Sequence, residues 1–353
     1  MPHIIAPGRV RAAALRQTAT SLTHKAVAGT GSARRASLVS RIVEPQGEQP
    51  VRALVVDHAG PGPVRFAEVA EPEPAPHEAL VGIRHIALNH GELKHSGQWP
   101  DGDVHGHDAS GVVLRAAADG SGPEAGSRVV LGMAPHAWAE RIAVAPKWLA
   151  VVPDGVGLAD AAAIGVVGST ALRVLRTRSV LGREVLVTGA SGGVGRFAVQ
   201  LAALAGARVS ALVGSPERVE GLRELGARRV AVSVSELAGE FDLVVDTVGG
   251  PQLVEVWERV APGGDVQLVG TASGQPAVFG PDALFSIGEP KTVTTFCDVE
   301  SAVTGELEVL LDLMARGRLS AEVGLRGHWD GVDGAVRALF AREVRGKVVL
   351  DVS

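Results

Sequence analysis

Two stretches of this 353-residue chain carry residues whose types and spacing could do chemistry. The first is T-G-A-S-G-G-V-G, from Thr188 to Gly195. Gly189, Gly192, Gly193 and Gly195 let backbone approach a pyrophosphate closely, with Ala190 in the place of a first glycine and Val194 opening a helical pattern. Such a pyrophosphate would sit among the unpaired N–H donors at the start of the following helix. The second stretch holds His85, His90, His95, His105 and His107. Imidazoles move protons near neutral pH and ligate zinc. Their spacings match no closed zinc pattern, so hydrogen-bonded or solvated histidines are the reading. The chain contains no Tyr, which removes the phenol as a proton donor.

The elements around the glycine turn are legible. Val185–Val187 is an apolar, β-branched run suited to a strand buried on both faces. After the turn, Phe197, Ala198, Leu201, Ala202, Leu204 and Ala205 recur at helical spacing until Gly206 stops them, and a second apolar run, Val209–Val213, follows. Strand, turn, helix and strand begin a parallel βαβ unit. Further buried strands are expected at 229–232, 242–245 and 266–269, with a helix at 251–260 closed by Pro262, Gly263 and Gly264. This alternation predicts a doubly wound α/β sheet. Before it, strands at 52–57, 78–88, 110–115, 128–131 and 138–144, separated by Gly/Pro turns, predict a small barrel-like β domain. Helices are expected at 158–163, 169–176, 306–316 and 332–340, and a last strand at 348–352.

Hydrophobic residues make up 46% and charged residues 21%, an ordinary globular composition. A net charge of −5 offers no basic face for nucleic acid, and no apolar run is long enough for a membrane span. The single Cys297 excludes an intramolecular disulfide and a thiolate-rich zinc site, which fits a reducing cytoplasm. Residues 1–50 differ from the rest: Arg- and Ser-rich and without an acid before Glu44. They read as a disordered extension, a transit peptide being the other reading, with the working chain beginning near Val51.

ALNHGELKHSGQWP (from Ala87), GHDASGVV (Gly106), AERIAVAPKWLAVVPDG (Ala139), AAAIGVVGSTALRVL (Ala161), FDLVVDTVGG (Phe241) and RGKVVLDV (Arg345), in that order around the glycine turn, resemble the medium-chain dehydrogenase/reductase superfamily. The resemblance is to its zinc-independent, quinone-oxidoreductase-like branch. It implies a GroES-like β-barrel catalytic domain split between residues 51–168 and 293–353 around a Rossmann domain at 169–292. It also implies a small-molecule substrate in the cleft between them, and a homodimer formed through the strand at 293–296.

The cofactor expected is NADPH. Dinucleotide folds that prefer NAD carry an acid about 20 residues beyond the glycine turn, to pair with the ribose 2′-OH. Here the strand ends Val213-Gly214-Ser215, with no acid, and Ser215 and Arg218 can bond a 2′-phosphate. The alternative is that Ser215 caps the next helix and Arg218 is solvated. By resemblance alone, Thr170 lies on the nicotinamide side, Gly270 where backbone passes the cofactor, and Lys347 where a basic residue can reach the pyrophosphate. Lys347 could equally be a surface lysine at a strand start.

Zinc-containing members of the superfamily ligate the metal with a Cys, a His-acid pair and a distal ligand. By resemblance Asn89 stands at the first place and Val166 at the last, while His107-Asp108 keeps the pair. Two ligands are too few for zinc, so no metal is expected. Trp99 occupies the place of a Tyr found in relatives, and an indole N–H does not release a proton usefully. His90 is then the candidate acid, with Glu92 orienting it or a water and Asn89 beside them; a passive cleft-wall role for His90 stays open. The reading is an NADPH-dependent reductase of quinones or α,β-unsaturated carbonyls. The alternatives are an alcohol dehydrogenase or ketoreductase on the same fold, and a non-catalytic NADPH-binding protein.

Overall fold

In chain order, the hairpin β1 (Val51–Val56) and β2 (Val64–Val69) is followed by β3 (Ala79–Leu88), the short helix α1 (His90–Lys94), and β4 (Asp108–Arg115), β5 (Arg128–Leu131), β6 (Arg141–Val144) and β7 (Leu149–Val151). Helices α2 (Leu158–Ala162) and α3 (Gly165–Arg176) lead to β8 (Glu184–Thr188), α4 (Gly193–Leu204), β9 (Arg208–Leu212), β10 (Arg229–Ala231), β11 (Phe241–Asp246), α5 (Gly250–Trp257), β12 (Val260–Leu268) and β13 (Thr292–Thr295). The chain ends with α6 (Thr304–Ala315), β14 (Val323–His328), α7 (Val332–Phe340) and β15 (Lys347–Asp351). This computed structural model describes residues 50–285, 288–296, 298 and 301–352. The expected extension, Pro50 apart, and Cys297 lie outside the described residues.

Six strands form a parallel sheet in the order β10-β9-β8-β11-β12-β13. This is the Rossmann order, and the direction of winding reverses between β8 and β11, the place at which folds of this order bind their ligands. β8 is central because Val185, Leu186 and Val187 are fully buried, as their unbroken apolar run requires. α4 buries Phe197, Ala198, Leu201 and Ala202 on the sheet, and Gly206 ends that connection at φ +83°.

The other large sheet is the GroES-like part, ordered β14-β15-β3-β4-β5-β7 with β6 also on β3. It is antiparallel except for the β14–β15 pair. The C-terminal strand returns to it, with Val348 opposite Leu88 on β3. That pairing brings the start of β15 beside the end of β3 and α1. α3 runs through the domain boundary expected at 168/169. Among the described residues no helix is long and apolar enough to cross a membrane.

Three differences from the expected elements have physical causes. The turn expected at Pro262–Gly264 lies inside β12, with a register shift opposite Phe241–Leu243. Gly264 permits this, since a Cβ there would meet Val260 Cγ1 at 2.7 Å and the Phe241 carbonyl at 2.9 Å. After β9 the chain forms a single 3₁₀ turn, Pro216–Arg218, with Ser215 at its N-cap. β2 and β14 are not among the expected strands: β2 is half-buried and β14 largely exposed, so neither carries the apolar alternation of a buried strand.

Gly346 joins the two sheets. Its N–H donates to the Ser191 carbonyl at 2.9 Å, it has φ +79°, and a Cβ would lie 1.9 Å from the Glu322 carbonyl oxygen. Gly346→Ala is therefore expected to destabilise the protein by at least about 1–3 kcal/mol from backbone strain alone. A urea unfolding curve checks this, with the midpoint falling and the slope unchanged.

Candidate active site

The glycine turn takes the form its sequence predicts. Gly189 has φ +57°, Ala190 is fully buried, and Gly192 is the N-cap of α4 with no side chain to satisfy the first N–H groups. Gly193, Val194 and Gly195 form the first turn of the helix. A Cβ on Gly195 would stand 2.5 Å from the Gly189 carbonyl, so only glycine closes this turn. Gly270 is tight for a similar reason, with the Thr247 carbonyl 2.8 Å from where a Cβ would be. Thr170 is buried on α3. Open donors at the N-terminus of a twelve-residue helix suit a pyrophosphate.

Arg218 reaches back to this turn. Its Nε donates to Ser191 Oγ at 2.7 Å, and its terminal nitrogens donate to the carbonyls of Arg342 and Val344. Burial lowers its pKa, and the charges of Arg342, Arg345 and Arg196 lower it further. Three further guanidinium groups thus act on Arg218, of which Arg196 is paired with Glu322 and Arg345 with Glu220. Ser215 is engaged elsewhere, its hydroxyl bonded to the exposed Glu217 carboxylate, whose pKa it lowers.

Lys347 is neither a surface lysine nor free to reach a pyrophosphate. It is 2% exposed, and its Nζ donates to Leu88 O at 3.1 Å, Asn89 Oδ1 at 2.5 Å and Asp108 Oδ2 at 3.3 Å. Its stem still borders the glycine turn, because a Cβ at Gly193 would stand 3.2 Å from its Cδ. Asp108 also accepts from Asn89 Nδ2 at 2.9 Å and from the Val166 N–H at 2.7 Å. Burial raises the pKa of Asp108, with Lys347 pulling against it.

Glu92, in the first turn of α1, accepts from the Asn89 N–H at 2.7 Å through Oε1 and lies 2.7 Å from His107 Nδ1 through Oε2. Burial acts to lower the His107 pKa, but the hydrogen bond and charge of Glu92, aided by Asp108, outweigh it and the pKa is raised. Trp99 stands edge-on to His105 and His107, with centroids 5.2 and 5.9 Å away. His105 Nε2 lies 3.2 Å from the Glu92 carbonyl, and burial lowers its pKa.

His90 points away from this group. Its ring packs edge-on against Phe340 at 5.4 Å, and burial, then Lys94, Arg342 and His95, lower its pKa. A histidine that sheds its proton below neutrality is a poor acid at pH 7, and Glu92 orients His107 rather than His90. The structure thus brings Asn89, Glu92 and Trp99 together with His107, Asp108 and Lys347, and leaves His90 aside. The signals for His107 and Glu92 were both in the sequence, in the histidine cluster and beside Asn89; that they pair with each other was not.

As they stand these side chains do not fit a zinc ion. Asn89 is committed to Asp108, Glu92 and Lys347, Val166 offers only its backbone, and an ammonium already holds the carboxylate of Asp108. Among the described residues no group of three or more His, Cys, Asp or Glu could hold a metal.

Two measurements check these electrostatics. Proton NMR of the histidine ring signals should show His107 titrating above the ordinary 6.5 and His90 and His105 below it. Because its folded pKa is raised, the stability His107 contributes is fully present below about pH 6.5 and is lost as pH rises through the folded value. Lys347→Met should cost about 3–5 kcal/mol in urea unfolding, since it strands a buried carboxylate.

A family model described as zinc-binding dehydrogenase matches residues 193–316. The quinone oxidoreductase of Pseudomonas aeruginosa is 28% identical over 314 residues, covering 83% of this chain and 97% of its own. Quinone oxidoreductase-like protein 2 of Mus musculus is 30% identical over 233 residues, covering 61% of this chain and 67% of its own. Among solved structures, a mycobacterial protein complexed with NADPH superposes with a TM-score of 0.75 at 26% identity, covering 86% of this chain and all of that one.

Proposed function

The chain belongs to the quinone-oxidoreductase-like branch of the medium-chain dehydrogenase/reductase superfamily and is an oxidoreductase; from that premise we propose that it reduces a quinone or an α,β-unsaturated carbonyl with NADPH, without a metal. The observation that carries the reading is the buried ammonium of Lys347, fixed among Asn89 and Asp108. Reduction of a simple ketone calls for a Lewis acid or a strong hydrogen-bond or proton donor to hold the developing alkoxide. A quinone or enone spreads that charge through its own π system, so a few hydrogen-bond donors suffice. The bound cofactor would supply the hydride, and the protein positions it and excludes water.

The preference for NADPH rests on Arg218. β9 ends without an acid, and the unfavourable burial of Arg218 among the charges of Arg342, Arg345 and Arg196 would be relieved by a dianionic 2′-phosphate. Ser215 contributes less, being held by Glu217. The division expected at 51–168, 169–292 and 293–353 enters this reading with both boundaries displaced, since α3 runs across 168/169 and β13 carries residues 293–295 into the parallel sheet. So does a homodimer, which the exposed outer strand β13 of the parallel sheet supports.

Arg218→Ala should raise KM for NADPH about 10-fold or more, as loss of a charged hydrogen bond does, and leave KM for NADH within about twofold. Equal effects on both would refute the NADPH assignment. In stopped flow, the metal-analysed protein should oxidise NADPH with 1,4-benzoquinone or 2-cyclohexenone and not with cyclohexanone. Stoichiometric zinc with ketone turnover would favour the alcohol dehydrogenase reading instead.

A further inference from the structure

Within the polar group at the junction of the two sheets, His107 is the most exposed side chain of its ion pairs. The side chains of Asp108, Lys347 and Glu92 are 0%, 2% and 4% exposed, while that of His107 is 17% exposed. Lys347 spends its three protons on Leu88, Asn89 and Asp108, and Asn89 spends its amide on Glu92 and Asp108. His107 uses Nδ1 on Glu92, and its Nε2 makes no hydrogen bond to a described residue. With Nδ1 held by a carboxylate and the side chain 17% exposed, Nε2 is the position of this ring left for a proton to exchange.

The group borders the glycine turn. The Lys347 stem borders Gly193 at the glycine turn. α1, which carries Glu92, is held against the segment after β12 by Lys94 Nζ donating to the Thr271 carbonyl at 3.1 Å. Trp99 packs edge-on to the His107 ring.

We propose that His107, anchored by Glu92, is the proton donor of the reduction. The proposal deepens the reductase reading above and rests on it. With an enone, a hydride from NADPH forms the new C–H bond at the β-carbon while the nicotinamide is oxidised. The alkene electron pair moves to the carbonyl oxygen, the Nε2–H bond of the imidazolium breaks, and an O–H bond forms. The resulting enol tautomerises to the saturated ketone. Neutral His107 takes a proton back from solvent, so each turnover consumes one NADPH and one proton.

The charged and titratable groups around His107 are Glu92 on α1, Asp108 on β4, Lys347 on β15 and His105 in its own loop, with His136 beyond His105. Glu92 and Asp108 both favour the imidazolium.

The test is kcat against pH for NADPH oxidation by 2-cyclohexenone and by 1,4-benzoquinone, using the full-length chain. Wild type should lose kcat as pH rises through the His107 pKa. Glu92→Gln should move that limb to lower pH, and His107→Gln should abolish it and lower kcat about 100-fold or more. NADPH binding, read from the fluorescence of the bound nicotinamide, should stay within about twofold in both variants. A wild-type profile without an alkaline limb overturns the assignment, and so does a His107→Gln protein that binds NADPH and keeps kcat within about threefold. If wild type turns over neither acceptor, the reductase reading falls and this assignment with it; turnover indifferent to His107 overturns this assignment alone.

Discussion

The arrangement of the site depends on one buried ammonium. Lys347 comes from the last strand, yet its three acceptors come from the end of β3, the cap of α1 and the start of β4. Burying a lysine is costly unless every N–H finds a partner and a counter-charge stands close. Here the return of β15 beside β3 provides both. The same side chain lines the underside of the glycine turn at Gly193, so the nucleotide turn and the carboxylates share one rigid support. A loss at this point would be felt in both sheets.

The βαβ unit at 184–212 was legible because a strand buried on both faces is an unbroken apolar run and its helix keeps one apolar stripe. α7 was equally clear, its periodicity marking Val332–Phe340. The site was legible only in part. Asn89, Glu92 and Trp99 lie near one another in sequence and stay together in space. The direction of Lys347 was not, since it depends on a contact between residues 259 positions apart. His90 shows why proximity in sequence misleads: one step beyond Asn89 the helix turns its ring toward Phe340 on α7 and away from Glu92. The arginines gathered around Arg218 come from α4 and the segment before β15, and no local pattern joins them.

Charge neutrality inside the site links these observations. The buried group holds two carboxylates, Asp108 and Glu92, and one ammonium, Lys347. In a medium of low effective dielectric an unmatched charge is expensive, and protons move to cancel it. Asp108 has Lys347, an amide and a backbone N–H around it. Glu92 has a backbone N–H and an amide on one oxygen, and on the other only the His107 ring. An imidazolium at His107 makes the group neutral, and it is the one member at the surface that can gain or lose a proton without dismantling the rest. When that proton leaves, the carboxylate of Glu92 is uncovered and draws the next one in from solvent. In a chain without a tyrosine, a partly buried imidazole beside a carboxylate is the group of this cluster able to hold and exchange a proton.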